Sequence, residues 1–201
     1  MPVESLVALL GILTAAIWTP GPNNAMLASS GATFGFRRTL PHAQGVAWGF
    51  PLMLFAVAMG LGEVFARYPL LHELLRYLGA ALLLWVAWRI ATAAPPGSVG
   101  RKRRPFTFLQ AVSFQWINPK AWVMCIGIAA QFVTGAHALR EALICAAVAA
   151  AVGLPSASAW TAFGAAIGRW LGTPLKVRVF NAAMAGLIVL GVVWLLAAPG
   201  H

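Results

Sequence analysis

The 201-residue chain is 61% hydrophobic and only 9% charged, with a formal net charge of +10 at neutral pH. Soluble domains are about half apolar and about a quarter charged, so this composition excludes an ordinary soluble globule. The positive charge does not indicate nucleic-acid binding either. The basic residues cluster between long apolar runs, as they do in the cytoplasmic loops of membrane proteins.

Apolar runs long enough to cross a lipid bilayer follow one another along the chain. A transmembrane helix needs about 20 mostly apolar residues. Six runs meet this requirement: Val3 to Ser29, Ala43 to Phe65, Leu70 to Ala93, Phe106 to Thr134, Ala138 to Ile167 and Val177 to Ala198. The sequence therefore predicts an all-α integral membrane protein with six transmembrane helices. The first run lacks the basic residues of a cleaved signal peptide, and we interpret it as a retained helix.

The first run is broken by the segment Pro20-Gly21-Pro22-Asn23-Asn24. Prolines remove backbone donors and unwind a helix, and glycine tolerates backbone angles that other residues avoid. Irregular backbone at membrane depth is tolerated only where it is buried in protein or lines a wet cavity. The segment is therefore either a simple kink or a site where free backbone groups and Asn side chains bind a polar solute. A lone proline would favour the kink, whereas this combination favours binding.

The fourth run contains a matching break, Asn118-Pro119-Lys120. Lys120 is a cation inside an otherwise apolar span, which indicates a function unless the residue lies at an interface. Gln115, about one turn earlier, is a candidate secondary polar contact. Paired broken helices predict a substrate site near the membrane midplane. A zwitterion such as an amino acid fits this site, because its carboxylate can meet Lys120 and its ammonium can meet carbonyl and Asn oxygens.

The two halves of the chain resemble each other in the order of their prolines. Each half has a broken helix, a helix with an internal proline and a third helix that opens with Pro-Leu. These features lie at Pro20, Pro51 and Pro69 in the first half, and at Pro119, Pro155 and Pro174 in the second. Three spans per half predict two inverted repeats in one transporter domain. The repeats cover about 1–93 and 106–201, joined by a basic loop at 94–105.

Two pairs of glycines have the spacing that lets helices approach closely. Gly45 and Gly49 form one pair, and Gly164 and Gly168 form the other. Small residues four positions apart lie on one face of a helix and allow close contact between backbones. We therefore expect both pairs at helix–helix contacts.

The distribution of charge predicts the orientation in the membrane. Positive loops stay in the cytoplasm. The loops between spans one and two, three and four, and five and six carry Arg37, Arg38, Arg101, Lys102, Arg103, Arg104, Arg169, Lys176 and Arg178. The opposite side carries Arg67, Arg76 and Arg140 together with Glu4, Glu63, Glu73 and Glu141. The basic loops are therefore expected in the cytoplasm and both termini outside.

Several of these motifs together resemble the LysE/RhtB family of lysine and homoserine/threonine exporters. They are Thr19-Pro20-Gly21-Pro22-Asn23, the segment from Gly35 to His42, Asn118-Pro119-Lys120-Ala121 and Gln131-Phe132. The resemblance covers nearly the whole chain. It implies a multi-pass protein of the bacterial inner membrane that exports amino acids or their derivatives from the cytoplasm. It further implies proton-driven transport without a cofactor, and it leaves a homodimer open. Many relatives carry an acidic residue just after Pro-Gly-Pro, where this chain has Asn23 and Asn24.

Three other classes of protein fit the sequence less well. A membrane-embedded enzyme would need paired cysteines, a histidine within a span or a cluster of metal ligands. Cys125 and Cys145 form no such pair, and His42 and His72 are assigned to loops. An exporter of a metal cation or another small polar solute is the retained alternative, although cation pathways usually contain acidic rings. A non-transporting membrane partner would leave the polar breaks without a purpose.

Overall fold

The computed structural model describes residues 1–61, 67–92, 104–171 and 173–197. Within these ranges the regular structure is helical, with no strand, which confirms the prediction of an all-α protein. Glu63 and the basic residues at 101–103 lie outside the described residues. The predicted division into two repeats and a loop at 94–105 is therefore only partly covered.

Eight α-helices make up the described part of the chain. They are α1 (Val3–Trp18), α2 (Pro22–Phe34), α3 (Phe36–Ala56), α4 (Pro69–Ala91), α5 (Phe108–Gln115), α6 (Pro119–Phe132), α7 (Ala138–Trp170) and α8 (Pro174–Ala197). A π-helical turn, Val57–Leu61, extends α3, and a 3-10 turn, Gly135–His137, precedes α7. The prolines that open α2, α4, α6 and α8 occupy first-turn positions, where a missing backbone N–H costs the helix little.

Both predicted helix breaks are present. The axes of α1 and α2 meet at 52° across a break of a few residues that is centred on Pro20. The break between α5 and α6 ends at Asn118, whose Oδ1 accepts a hydrogen bond from the backbone N–H of Lys120 at 3.2 Å. Asn118 thus caps the N-terminus of α6, which is a position that Asn favours.

The start of α3 differs from the prediction. The helix begins at Phe36, seven residues before the predicted start at Ala43, and it includes Arg37 and Arg38. Gly35 explains the difference, because its φ of 80° lets the chain turn in one residue from the end of α2 into the next helix. The assignment of His42 and His72 to loops is wrong, since both residues are helical. His42 is also buried, with 3% of its surface exposed.

Three helical stretches are long and apolar enough to cross a membrane by themselves: Phe36–Leu61, Ala138–Trp170 and Leu175–Val193. The bent pair of α1 and α2 makes a fourth if it counts as one span. Tyr77–Ala91 of α4 is a shorter apolar stretch, and α5 and α6 have 8 and 14 residues. The described helices therefore fit a multi-pass membrane protein, and the count of six spans stays a prediction.

The long helix α7 packs against both α2 and α3. A Cβ on Gly164 would collide with the carbonyl of Ala28 in α2, and a Cβ on Gly168 would lie 2.5 Å from the carbonyl oxygen of Ala32. On α3, a Cβ at Gly49 would lie 2.9 Å from the Gln115 side chain of α5. The predicted close packing at these glycines is confirmed.

Two apolar clusters hold the helices around the breaks. One joins α4 to α8 and to α2, through residues such as Leu83, Ile188 and Ala25. The other joins α1, α3, α6 and α7, and it contains both cysteines. Cys125 and Cys145 are fully buried free thiols within this cluster. The two helix breaks therefore lie between two packed regions.

Candidate functional site

A cavity of about 530 Å³, including its open mouth, lies where the two helix breaks meet. Its walls come from the α1–α2 break, α3, the start of α6 and the middle of α7. The lining residues are Ala16, Ile17, Gly21, Pro22, Asn23, Asn24, Val46, Ala47, Phe50, Asn118, Lys120, Ala121, Met124, Gly153, Ser156 and Ala157. First-turn residues of both helices belong to this lining: Pro22 and Asn23 of α2, and Lys120 and Ala121 of α6. The positive ends of two helix dipoles therefore lie at the same cavity.

Six of the nine predicted site residues line this cavity. They are Gly21, Pro22, Asn23, Asn24, Asn118 and Lys120. The other three do not: Pro20 is exposed, Pro119 is buried in the first turn of α6, and Gln115 is fully buried beside the cavity. The structure thus brings the two sequence segments, about a hundred residues apart, together at one cavity.

Lys120 crosses from the second half of the chain to the first. Its Nζ donates a hydrogen bond to the carbonyl of Thr19 at 2.8 Å. A Cβ on Gly21 would lie 3.2 Å from the same Nζ and 3.1 Å from the Lys120 Cδ, so the side chain lies directly over Gly21. An ammonium has three N–H groups, and Thr19 occupies one. The cation can therefore interact with an anion in the cavity without releasing Thr19.

Asn24 stabilises the break itself. Its Nδ2 donates to the carbonyls of Ile17 and Thr19, both at 3.0 Å. These carbonyls belong to the end of α1, where the last backbone acceptors have no helical partner. The two amide protons of Asn24 are therefore used to hold the unwound segment open, even though the residue lines the cavity.

Asn23 links the two breaks through a second contact. Its Nδ2 donates to Oε1 of Gln115 at 2.9 Å, and Nε2 of Gln115 donates to the carbonyl of Ala111 at 3.2 Å. Gln115 thus acts on the cavity indirectly, by orienting Asn23. The Oδ1 of Asn23 is buried and has no hydrogen-bond partner among the described residues. This oxygen can accept a hydrogen bond from a solute in the cavity.

The sequence itself matches a known family. A sequence profile for the family described as "LysE type translocator" matches residues 14–198, which is most of the chain. The chain belongs to the LysE-type translocator family. This family comprises transport proteins rather than enzymes, and the match includes both helix breaks.

Curated relatives of this LysE-type translocator carry a more specific name. A "Cysteine/O-acetylserine efflux protein" from Shigella flexneri is 32% identical over 117 residues, covering 54% of this chain and 60% of that protein. The protein of the same name from Escherichia coli (strain K12) is 33% identical over 102 residues, covering 51% of this chain and 52% of that protein. The chain is thus matched to between half and two thirds of these relatives' length. No solved structure matches.

Ser156 is a candidate site residue of the translocator that the sequence pattern did not predict. It is 1% exposed, it lines the cavity, and its Oγ has no hydrogen-bond partner among the described residues. The preceding residue, Pro155, was noted only as an internal helix proline. A proline in a membrane helix frees a carbonyl and attracts polar neighbours, so the Pro-Ser pair was the available signal.

The polar atoms of the cavity have complementary chemistry. Lys120 and the N-termini of α2 and α6 form a positive region, while Asn23 Oδ1 and Ser156 Oγ offer acceptors. The remaining walls are small or apolar side chains, such as Val46, Phe50 and Met124. No Asp or Glu is among the lining residues of the described chain. The cavity therefore suits a small solute that carries one anionic group and one hydrogen-bond donor.

Proposed function

We propose that this LysE-type translocator exports amino acids or small amino-acid derivatives from the cytoplasm across the bacterial inner membrane, driven by the proton gradient. The observation that carries the proposal is the meeting of both broken helices at one cavity under Lys120. Paired discontinuous helices form the substrate sites of many secondary transporters. The efflux of cysteine and O-acetylserine, for which the two relatives are named, supports the same class of cargo.

The proposed binding mode assigns one end of a zwitterion to each region of the cavity. The carboxylate accepts hydrogen bonds from the Lys120 ammonium, at the positive ends of the α2 and α6 dipoles, where an anion is favoured. The ammonium donates to Asn23 Oδ1 and Ser156 Oγ, the two acceptors that the protein leaves without partners. The small side chain of the substrate then lies against the apolar wall.

Alternating access would follow from an inverted-repeat plan with six spans. The packing supports this plan, because the broken helix of each half lies against the second helix of the other half: α2 against α7, and α5 against α3. The hydrogen bonds from Asn23 to Gln115 and from Lys120 to Thr19 join the halves at the cavity. In the proposed cycle these contacts break and reform as the halves rock about the substrate. A homodimer stays a prediction.

The test is efflux from cells preloaded with labelled amino acids, including cysteine and O-acetylserine, with and without a protonophore. The variants are Lys120→Met, which keeps the length of the side chain but removes its charge, and the matched control Lys176→Met. Lys176 is exposed and does not line the cavity, and its Nζ lies 4.2 Å from the centroid of the Trp170 ring.

We expect wild type and Lys176→Met to export at least one amino acid in a protonophore-sensitive way. Lys120→Met should reduce that efflux by roughly tenfold or more at equal membrane expression, since a charge-assisted hydrogen bond contributes about 1.5–3 kcal/mol. If wild type exports no amino acid, the proposed cargo is wrong, and metal cations and other small polar solutes are tested in the same assay. Unchanged efflux by Lys120→Met would remove Lys120 from the binding mode.

A further inference from the structure

Some buried polar atoms of the bundle have no hydrogen-bond partner. In the described residues there are four: Asn23 Oδ1, His42 Nδ1, Ser156 Oγ and Trp160 Nε1. Asn23 and Ser156 line the cavity, whereas His42 and Trp160 do not. Native proteins satisfy the large majority of buried polar atoms, so four exceptions on neighbouring elements point to a shared role.

His42 and Trp160 lie one helical turn from the cavity in the same direction. His42 precedes the cavity residue Val46 by four positions on α3, and Trp160 follows Ser156 by four positions on α7. Residues four apart share a helix face and are separated by about 6 Å along its axis. The helices α3 and α7 run antiparallel there, because Ala47 meets Gly153 while Trp160 packs against the cluster that contains Ala43.

Beyond His42 the polar groups continue toward the end of the bundle where α3 begins. Thr39, one turn before His42, is fully buried and hydrogen-bonds Ser30 of α2 at 3.2 Å. Arg37 and Arg38 follow at the exposed start of α3. Along α3, His42 and Thr39 thus lie between the cavity residue Val46 and the basic start of the helix.

We propose that His42 is the proton-binding residue that couples transport to the proton gradient. This inference rests on the proposed function. Imidazole is the side chain that changes its charge near neutral pH. His42 is buried beside the cavity, it has a free ring nitrogen, and its ring lies 5.2 Å from that of Phe106. An aromatic ring at this distance can stabilise a cation.

No carboxylate on the neighbouring elements competes for this role near His42. The segment before α5 carries the exposed Arg104, and α2 and α5 carry no titratable side chain. On α7, Arg169 is exposed at the same end, while Arg140, Glu141 and Cys145 belong to the opposite end. Lys120 lies across the cavity at the start of α6. Among the described residues of these elements, no acidic side chain therefore lies at the His42 end of the bundle.

Like-charge exclusion provides the coupling. A substrate ammonium at Asn23 and Ser156 and an imidazolium at His42 would be two cations inside the same helix bundle, and cations in a medium of low dielectric repel each other. Substrate binding therefore releases the proton from His42 toward the basic end. A proton that enters from the opposite side after the substrate has left rebinds the same nitrogen. One proton moves inward for each amino acid that moves outward.

The test uses the full-length protein in proteoliposomes loaded with the amino acid identified in the efflux assay. Gradient-driven efflux and amino-acid exchange at equal pH are measured for wild type, His42→Gln and the control His137→Gln. His137 is an exposed histidine in the 3-10 turn before α7. We expect the ratio of driven to exchange transport to fall at least about tenfold in His42→Gln. It should stay unchanged in His137→Gln.

An unchanged ratio in His42→Gln would overturn the inference while leaving amino-acid export intact. Absence of exchange in wild type would instead refute the proposed function. If His42→Gln does not fold, the proposal is tested by NMR of histidine-labelled wild type in detergent. The His42 signal is identified as the one that shifts in Phe106→Leu. That signal should change its titration midpoint when the amino acid is added. A His42 signal that is unaffected by both pH and substrate would overturn the proposal.

Discussion

At the scale of single residues, the position of the Lys120 side chain depends on the absence of a Cβ at Gly21. The φ of Gly21 is −168°, an extended angle that any residue adopts, so its backbone does not require glycine. Glycine is instead favoured at this position by the Lys120 side chain, because a Cβ on residue 21 would lie 3.1 Å from the Lys120 Cδ and 3.2 Å from its Nζ. Contacts this short force the flexible lysine to move.

The substitution Gly21→Ala should therefore reduce transport while leaving the fold intact. Displacing Lys120 weakens its hydrogen bond to Thr19 and its proposed contact with the substrate, and a loss of about 1 kcal/mol corresponds to roughly a fivefold fall in efflux. Efflux and melting temperature are measured together. Gly11→Ala is the control, because a Cβ there meets nothing within 4 Å. Equal efflux from both variants would contradict the prediction.

The sequence pattern predicts some residues of the site but not others. Proline and asparagine in apolar runs predicted Asn23, Asn118 and Lys120, because such residues are conspicuous at membrane depth. Ser156 was missed, since a serine in a helix is common and only the packing of α7 brings it to the cavity. His42 was misplaced because a short basic segment resembles a loop, although Gly35 lets α3 start before it.

At the scale of helices, glycines set the distance between α7 and its neighbours. Gly164 touches the backbone of Ala28, so a side chain there must push α2 and α7 apart. Overpacking of this kind costs about 1–3 kcal/mol, and backbone cannot move aside as a flexible side chain can. Because α2 and α7 both line the cavity, their separation alters the site as well.

We expect Gly164→Ala to lower the melting temperature in detergent by about 2–4 °C for each kcal/mol lost. The matched control is Gly127→Ala on α6, where a Cβ meets nothing within 4 Å and alanine favours the helix. That control should melt at or slightly above the wild-type temperature. If Gly164→Ala melts no lower than Gly127→Ala, close contact between α2 and α7 does not stabilise the fold.

Helix boundaries were predictable wherever proline or a cap fixed them. Pro69 and Pro174 open helices within a few residues of the predicted starts at Leu70 and Val177, and Pro22 and Pro119 open helices at the two predicted breaks. The start of α3 was not predictable in this way, because Pro41 lies inside the helix rather than at its first turn. Apolar composition alone therefore placed that boundary too late.

At the scale of the whole molecule, the sequence predicts orientation but not the arrangement of the halves. The positive-inside rule needs only the order of charged residues along the chain. The basic residues near Arg37, Arg104 and Lys176 therefore predict which side of the bundle faces the cytoplasm. Packing between the halves depends on contacts far apart in sequence, such as Lys120 with Thr19. A pattern of prolines can indicate a repeat, but it does not determine how two repeats face each other.

Orientation can be measured across a single helix. The 33 residues of α7 extend about 50 Å, which exceeds the hydrocarbon thickness of about 30 Å, so its two ends should lie on opposite sides of the membrane. Gly135 and Thr173 flank the helix and are both exposed. The native thiols Cys125 and Cys145 are fully buried, which keeps background labelling low.

In intact cells, a membrane-impermeant maleimide should label Gly135→Cys and spare Thr173→Cys, because Arg169, Lys176 and Arg178 predict a cytoplasmic location for the Thr173 end. After permeabilisation both variants should react, which controls for accessibility. The reverse pattern would mean that the basic loops face outward, and export by the proposed route would then run in the wrong direction. Labelling of both positions in intact cells would show that α7 does not cross the membrane, and the cavity on its flank could not then serve a transmembrane pathway.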